Sequence, residues 1–188
     1  MPWTELRLDD VRDFLDAAGP EPLLWEAKGG EPSKGEVRLQ VCGFANNHEG
    51  GFLILGAPQA GNGWELDGME FPTDPTTWVT DVVGNGAVRP YPDGLDTKAF
   101  VVADRRHLAV VRILPIATPP CNTGGRVYER VSGQTIPVRE PLRLAALFAR
   151  GDEARQAADT RSQLAAIDAM HGGPVWPNFD GTHIQFGL

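Results

Sequence analysis

The apolar and polar positions near the start of the chain predict a strand, a helix and a second strand in succession. Residues 23–28 alternate between apolar and polar, which is typical of a half-buried strand and places Glu26 and Lys28 on one face. The apolar residues of 34–45 then recur at helical spacing. Residues 52–55 are apolar on both faces, which is typical of a central strand. We expect the rest of the fold to be organised around this unit.

The predicted helix has a clear start signal. Ser33 and Glu36 have the spacing of a capping box, in which each side chain bonds the backbone of the other residue. The pattern predicts that Arg38 and Gln40 lie outside the apolar face. The residues predicted to be buried are Val37, Val41, Phe44 and Ala45.

The remaining pattern predicts a mixture of helices and strands. Because strands and helices do not alternate regularly, we predict an α+β fold: a mixed sheet with flanking helices and a C-terminal helical extension. Residues 1–150 would form the domain, and residues 151–188 would form a helix and tail. The further predicted elements are a helix within 4–18, a helix over 76–83, a hairpin over 99–113, a strand over 126–131, a helix from Glu140 that stops at Gly151, and a helix over 153–170.

Composition limits the functions that this chain can perform. Its 188 residues carry a net charge of −8, which argues against non-specific wrapping of nucleic acid but leaves a local basic patch open. The first residues lack the apolar segment of a signal peptide, and the longest apolar stretch is too short for a membrane span. Cys42 and Cys121 make no metal spacing and no disulfide framework. We therefore expect a cytoplasmic protein with no membrane association.

Three sequence blocks, in order, resemble the Schlafen AlbA-like domain family, which is often described as DNA-binding in bacterial regulators. The first block is Glu-Ala-Lys at 26–28. The second is the helix end, the Gly-Gly pair and the apolar strand at 43–56. The third is Tyr-Glu-Arg-Val-Ser-Gly-Gln-Thr at 128–135. The resemblance covers roughly residues 5–150, and it implies a mixed sheet with flanking helices.

The same resemblance implies one of two activities. Bacterial members are commonly described as binding nucleic acid, whereas Schlafen members that cut RNA use three carboxylates and a divalent metal. Two of those carboxylates would correspond to Glu21 and Glu26. The third would be an aspartate just after the apolar strand, but this chain has Gly-Ala-Pro-Gln at 56–59. The missing acid favours a non-catalytic protein with no cofactor, and Mg²⁺ or Mn²⁺ belongs only to the nuclease alternative.

Two groups of residues are candidates for binding nucleic acid. One group surrounds the Gly-rich loop before the capped helix, where free backbone N–H groups attract anions. The other lies on one face of the strand over 126–131, where cations flank an aromatic ring. For each group the structural alternative is a capped loop, a local ion pair, or a face covered by a helix. The candidates are Lys28, Lys34, Arg38, Arg126, Tyr128 and Arg130.

Three hypotheses follow from these patterns. The leading one is a regulatory, non-catalytic module that binds DNA, RNA or a nucleotide. The second is a metal-dependent endoribonuclease that uses Glu21 and Glu26. The third is a protein-interaction subunit, in which residues 151–188 dock a partner or a second copy of the chain. The negative net charge keeps the third hypothesis open.

Overall fold

A computed structural model describes residues 2–17 and 23–170 of the chain, with side chains through residue 166 in the last helix. These residues form four α-helices, ten strands and one 3₁₀ turn, Trp3–Glu5. The helices are α1 (Leu8–Ala17), α2 (Lys34–Asn46), α3 (Pro75–Val83) and α4 (Pro141–Met170). The strands are β1 (Trp25–Lys28), β2 (Gly51–Leu55), β3 (Gln59–Ala60), β4 (Gly63–Trp64), β5 (Val88–Arg89), β6 (Leu95–Ala103), β7 (Arg106–Ile113), β8 (Asn122–Thr123), β9 (Arg126–Val131) and β10 (Gln134–Pro137).

The main sheet has the order β1-β2-β7-β6. Strands β1 and β2 are parallel, as expected when a helix connects them, and the other neighbours are antiparallel. A second sheet has the order β10-β9-β8-β5, and β3 pairs with β4. The prediction of an α+β fold with a mixed sheet, flanking helices and a C-terminal helix is confirmed.

Both faces of the main sheet are covered, which explains why its central strands are almost wholly apolar. On one face, Leu53 and Val111 belong to a core that α2 and α3 complete. On the other face, Ile54 and Val110 belong to a second core that α1 completes. Alternate residues of β2 and β7 therefore enter different cores, as the two-residue period of a strand requires.

Helix α2 begins as the sequence predicts. The backbone N–H of Glu36 donates to the Ser33 hydroxyl at 3.2 Å, and the Ser33 backbone N–H donates to a Glu36 carboxylate oxygen at 2.7 Å. Hydrogen bonding from Ser33 lowers the pKa of Glu36, because these donors favour the charged carboxylate. At the other end of α2, the buried Asn46 side chain bonds the backbone of Cys121 in both directions. This helix therefore connects the two sheets.

One predicted helix end is wrong. Helix α4 does not stop at Gly151 but continues from Pro141 to Met170 as a single helix. Gly151 is buried, and a Cβ at this position would collide with the carbonyl oxygen of Pro119. The glycine therefore permits close packing rather than ending the helix. The predicted domain boundary after residue 150 falls inside α4, and the predicted tail at 171–188 lies outside the described residues.

The two cysteines meet in the first core. The sulfur atoms of Cys42 and Cys121 are 3.5 Å apart, and both residues are buried. Contact with Cys121 and burial raise the pKa of the Cys42 thiol well above its usual range, because neither stabilises a thiolate. Cys42 therefore packs as a small buried hydrophobe.

Two glycines of α2 give a matched test of this packing. Gly35 is exposed, and the nearest atom to an added Cβ is 3.8 Å away, so Gly35→Ala should stabilise the protein by up to about 1 kcal/mol through helix propensity. An added Cβ at Gly43 would lie 2.6 Å from a methyl carbon of Thr135, so Gly43→Ala should destabilise it by about 1–3 kcal/mol. Chemical denaturation measures both. Equal stability of the two variants would contradict the packing of α2 against β10.

Thiol reactivity tests the burial of the cysteines. Because only the thiolate reacts, the folded protein should react negligibly with Ellman's reagent at about pH 8, whereas both thiols should react in guanidinium chloride. Because the pKa of the Cys42 thiol is raised, a modest increase in pH should not restore its reaction in the folded state. Rapid reaction of either thiol without denaturant would contradict this burial.

Candidate functional site

A buried polar network lies where the main sheet, α2 and the second sheet meet. Its members are Glu26 of β1, Gln40 of α2, Arg130 of β9 and Thr135 of β10. The first three are 4–6% exposed. Alternation in β1 sends Trp25 and Ala27 into the second core, so Glu26 faces the opposite side, toward α2.

Arg130 is the centre of this network. Its Nη1 donates to Glu26 Oε2 at 2.7 Å, its Nη2 donates to the carbonyl of Trp25 at 2.6 Å, and its Nε donates to the carbonyl of Leu23 at 3.2 Å. Its guanidinium also lies over the Phe44 ring, with the central carbon 4.6 Å from the ring centroid. A guanidinium loses much hydration when buried, and these contacts replace the hydrogen bonds that it made to water.

The Glu26 carboxylate is also held on its other side. Lys28 Nζ lies 2.5 Å from Glu26 Oε1, and the side-chain amide of Gln40 donates to the same oxygen at 3.4 Å. Gln40 in turn accepts hydrogen bonds from Thr135 and Arg130. Both carboxylate oxygens therefore have cationic partners, and the group acts here as the anion that balances two buried or half-buried cations.

Two placements from the sequence need correction. Gln40 was predicted to be exposed, but it is buried, because the second sheet covers the side of α2 that the helical pattern leaves polar. Arg130 was predicted to contact nucleic acid, but its side chain is fully buried against Glu26. The strand face that carries Arg130 turns toward α2, which is the covered-face alternative of the sequence analysis.

The three blocks that carry the family resemblance meet in this network. Glu26 and Lys28 come from the first block, Phe44 comes from the second, and Arg130 and Thr135 come from the third. Their contacts are those of a packing and charge-pairing unit. The blocks therefore contribute to the fold of this chain whatever ligand it binds.

The predicted metal site has little geometric support among the described residues. Glu21 lies outside them, so its relation to Glu26 is not described. Asp67, a carboxylate further along the chain from the apolar strand, is paired with Arg106 at 2.6 Å. Within residues 2–17 and 23–170, no three His, Cys, Asp or Glu side chains are grouped to hold a metal ion.

In the same ranges, no helix is long and apolar enough to span a bilayer.

The other basic candidates do not form one patch. Lys34 is exposed at the start of α2, whereas Arg38 donates from Nε to the carbonyl of Val82 in α3 at 2.7 Å. The far end of α2 contacts β9, since Asn46 donates to the carbonyl of Tyr128. A helix of 13 residues is about 20 Å long, which separates Lys34 from Arg126. Tyr128 is half-buried against the first core, so its ring is not an open stacking surface.

A cleft lies between the start of β9, the segment after β10 and the start of α4. It contains two arginines, and the sequence analysis identified only the first of them. It has a volume of about 380 Å³, and Arg126 and Arg139 line it. Neither arginine has a carboxylate within 4.0 Å among the described residues, whereas Arg143 in the adjacent cleft pairs with Glu129 at 2.8 Å. The apolar part of the wall is Val127, Pro137, Val138 and Leu144.

The signal for this pair was present in the sequence. The β9–β10 hairpin pairs Val131 with Gln134 and Tyr128 with Pro137. Continuing that register places Arg126 opposite Arg139, and the N–H of Val138 still bonds the carbonyl of Val127. Continuing the hairpin register outward from the short turn at residues 132–133 is enough to identify the pair.

We expect removal of one partner of the Glu26–Arg130 pair to destabilise the fold strongly. Arg130→Met leaves a buried carboxylate without its main partner and should cost about 3–5 kcal/mol of unfolding free energy. Glu26→Gln combined with Arg130→Met should recover part of that loss, because no buried carboxylate is then left without its arginine partner. Chemical denaturation of the single and double variants measures the coupling.

The exposed pair Arg12–Asp9 provides the control for this cycle. Both side chains are more than half exposed, so Arg12→Met should change the unfolding free energy by less than about 1 kcal/mol. If Arg130→Met were as mild as Arg12→Met, the buried network would not be the structural centre described above.

Comparison with known proteins adds little to this description. No family model matches the chain, and no curated protein matches it. Among solved structures, it is similar to the DIP2311 protein from Corynebacterium diphtheriae, with a TM-score of 0.46 and 17% sequence identity. The match covers 70% of this chain and 26% of the other, so the chain spans about a quarter of that protein's length. A similarity at this level assigns neither a family nor a function.

Proposed function

We propose that this chain is a regulatory, non-catalytic module of the cytoplasm that binds nucleic acid or a nucleotide, as its resemblance to the Schlafen AlbA-like domain implies. The observation that carries the proposal is the cleft in which Arg126 and Arg139 lie without carboxylate partners among the described residues. An unpaired guanidinium presents several N–H donors that match phosphate oxygens. Two of them at one cleft form a local cationic site on an acidic protein.

The shape of the cleft supports a short ligand. Its volume of about 380 Å³ suits one or two nucleotide units, and its apolar wall can cover a base or sugar face. The net charge of −8 disfavours a long duplex, because the rest of the surface would repel its phosphates. We therefore favour a single-stranded segment or a free nucleotide over an extended duplex.

The state of Glu26 supports binding without cleavage. A catalytic carboxylate must be free to hold a metal ion, but both oxygens of Glu26 face cations, Arg130 at 2.7 Å and Lys28 at 2.5 Å. A metal ion would have to displace both of them. We propose no metal cofactor for this reason, and Mg²⁺ or Mn²⁺ stays with the nuclease alternative.

One observation favours the protein-interaction alternative. Side chains 152–166 of α4 are exposed almost throughout, and Leu164 is half-exposed among them. A helix that extends past the domain in this way presents a surface to a partner or to a second copy. Failure of every nucleic-acid probe would transfer our preference to this alternative.

Substitution of the two cleft arginines tests the binding proposal. Fluorescence anisotropy with labelled single-stranded RNA, single-stranded DNA and a mononucleotide should show binding at low salt. Arg126→Ala with Arg139→Ala should weaken it by about a hundredfold or more, since each of the two lost charge-assisted bonds contributes roughly 1.5–3 kcal/mol. For a single strand, the slope of log K against the logarithm of the salt concentration should become shallower by about 1.4, because two phosphate contacts are lost.

A variant with the same charge change provides the control. Arg105 and Arg155 are exposed and lie outside the cleft, so replacing both with alanine should leave binding within about twofold. Equal weakening by the two double variants would mean that only net charge matters. Divalent-metal-dependent cutting of the RNA that is lost in a Glu26→Gln variant shown to be folded would instead establish the nuclease.

A further inference from the structure

A second cavity lies on the opposite side of the main sheet, away from the arginine cleft. It has a volume of about 410 Å³ and opens between the N-terminal segment and the face of the sheet that carries the second core. The walls include Trp3 and Leu6 from the N-terminal segment, Phe14 from α1, and Phe52 from β2. The volume falls within the range of small-molecule sites.

The cavity leaves large apolar side chains uncovered. Phe14 is 45% exposed and Phe52 is 40% exposed, although both lie beside a packed core. Phe52 occupies a central strand, where the neighbouring residues Leu53 and Ile54 are buried. An apolar ligand that covers these rings removes apolar surface from water, which favours binding.

One cationic side chain stands in this apolar wall. Arg112 of β7 lies directly opposite Phe52 in the sheet register, and its guanidinium is 4.9 Å from the centre of the Trp3 ring. Its Nε is buried and has no hydrogen-bond partner among the described residues. Its Nη2 reaches Asp96 only at 3.4 Å. The Arg112 side chain as a whole is 32% exposed and lines the cavity, so an acceptor there can pair with the guanidinium through its outer nitrogen atoms.

Two further charged side chains contact Trp3 from outside the cavity lining. Lys98 Nζ lies 5.8 Å from the Trp3 ring centre and donates to the carbonyl of Thr4 at 2.7 Å. Asp96 accepts from both Trp3 and Arg112. Among the residues that line the cavity, Arg112 is the charged one, and a cation in an apolar wall suits a ligand with a single negative charge.

We propose that this cavity binds a small monocarboxylate with an apolar body, whose carboxylate pairs with the Arg112 guanidinium. The aromatic or branched aliphatic part of the ligand covers Phe14 and Phe52. The carboxylate accepts hydrogen bonds from the Arg112 guanidinium. This site is separate from the arginine cleft, and it does not depend on nucleic-acid binding.

A charged ligand and its neutral isostere test the site in the full-length protein. Isothermal titration calorimetry should show saturable binding of 4-phenylbutyrate and at least about tenfold weaker binding of 4-phenylbutyramide, which lacks the charge. Arg112→Gln should remove that preference by weakening the carboxylate alone. Arg105→Gln, which removes a cation outside the cavity, should leave both affinities unchanged.

A second variant keeps the test valid if Arg112→Gln does not fold. Leu6→Trp fills the cavity from its N-terminal wall and should abolish binding of both compounds without altering the sheet. Absence of saturable binding, or equal affinity for the carboxylate and the amide, would overturn the proposal. Tighter binding to a Trp176→Ala/Phe179→Ala variant would also overturn it, because the natural occupant would then be the segment at 171–188.

Discussion

The fold of this chain depends on the buried ion pair between Glu26 and Arg130. The pair joins the edge strand of the main sheet to the second sheet, and α2 lies between them as a common support. Burial of two charges is expensive, so the pair is stable only because carbonyls, an amide and the Phe44 ring satisfy the remaining hydrogen-bonding capacity. Its contribution is to specify how the two sheets sit against each other rather than to add much net stability.

Local sequence signals predicted the elements that local forces determine. The capping box of Ser33 and Glu36, the alternation in β1 and the apolar run of β2 all predicted their elements correctly. Gln40 and Gly151 were misplaced because their environments come from residues distant in the chain. Periodicity within a helix reports one apolar face, and it cannot show that a second sheet covers the polar face or that Pro119 needs the space of a missing side chain.

For the candidate sites too, the sequence identified residue types but not the contacts made by residues distant in the chain. The family resemblance suggested Glu26 and the strand pattern suggested Arg130 as functional groups, yet each is the other's partner, and only the fold reveals that. Arg126 was identified from its strand, whereas Arg139 required the hairpin register. Arg112 carried no sequence signal, because the other walls of its apolar cavity come from segments about 60 and 100 residues away in the chain.

The shape of α4 determines how its stability is distributed along its length. Its early turns pack against the domain as far as Gly151, and the following side chains are exposed. The packed turns act as a permanent nucleus, so each later residue adds one hydrogen bond at a propagation free energy close to zero. Amide protection should therefore decline gradually from Gly151 toward Met170 instead of ending at one cooperative boundary, and the outer turns would gain order from any surface that covers them.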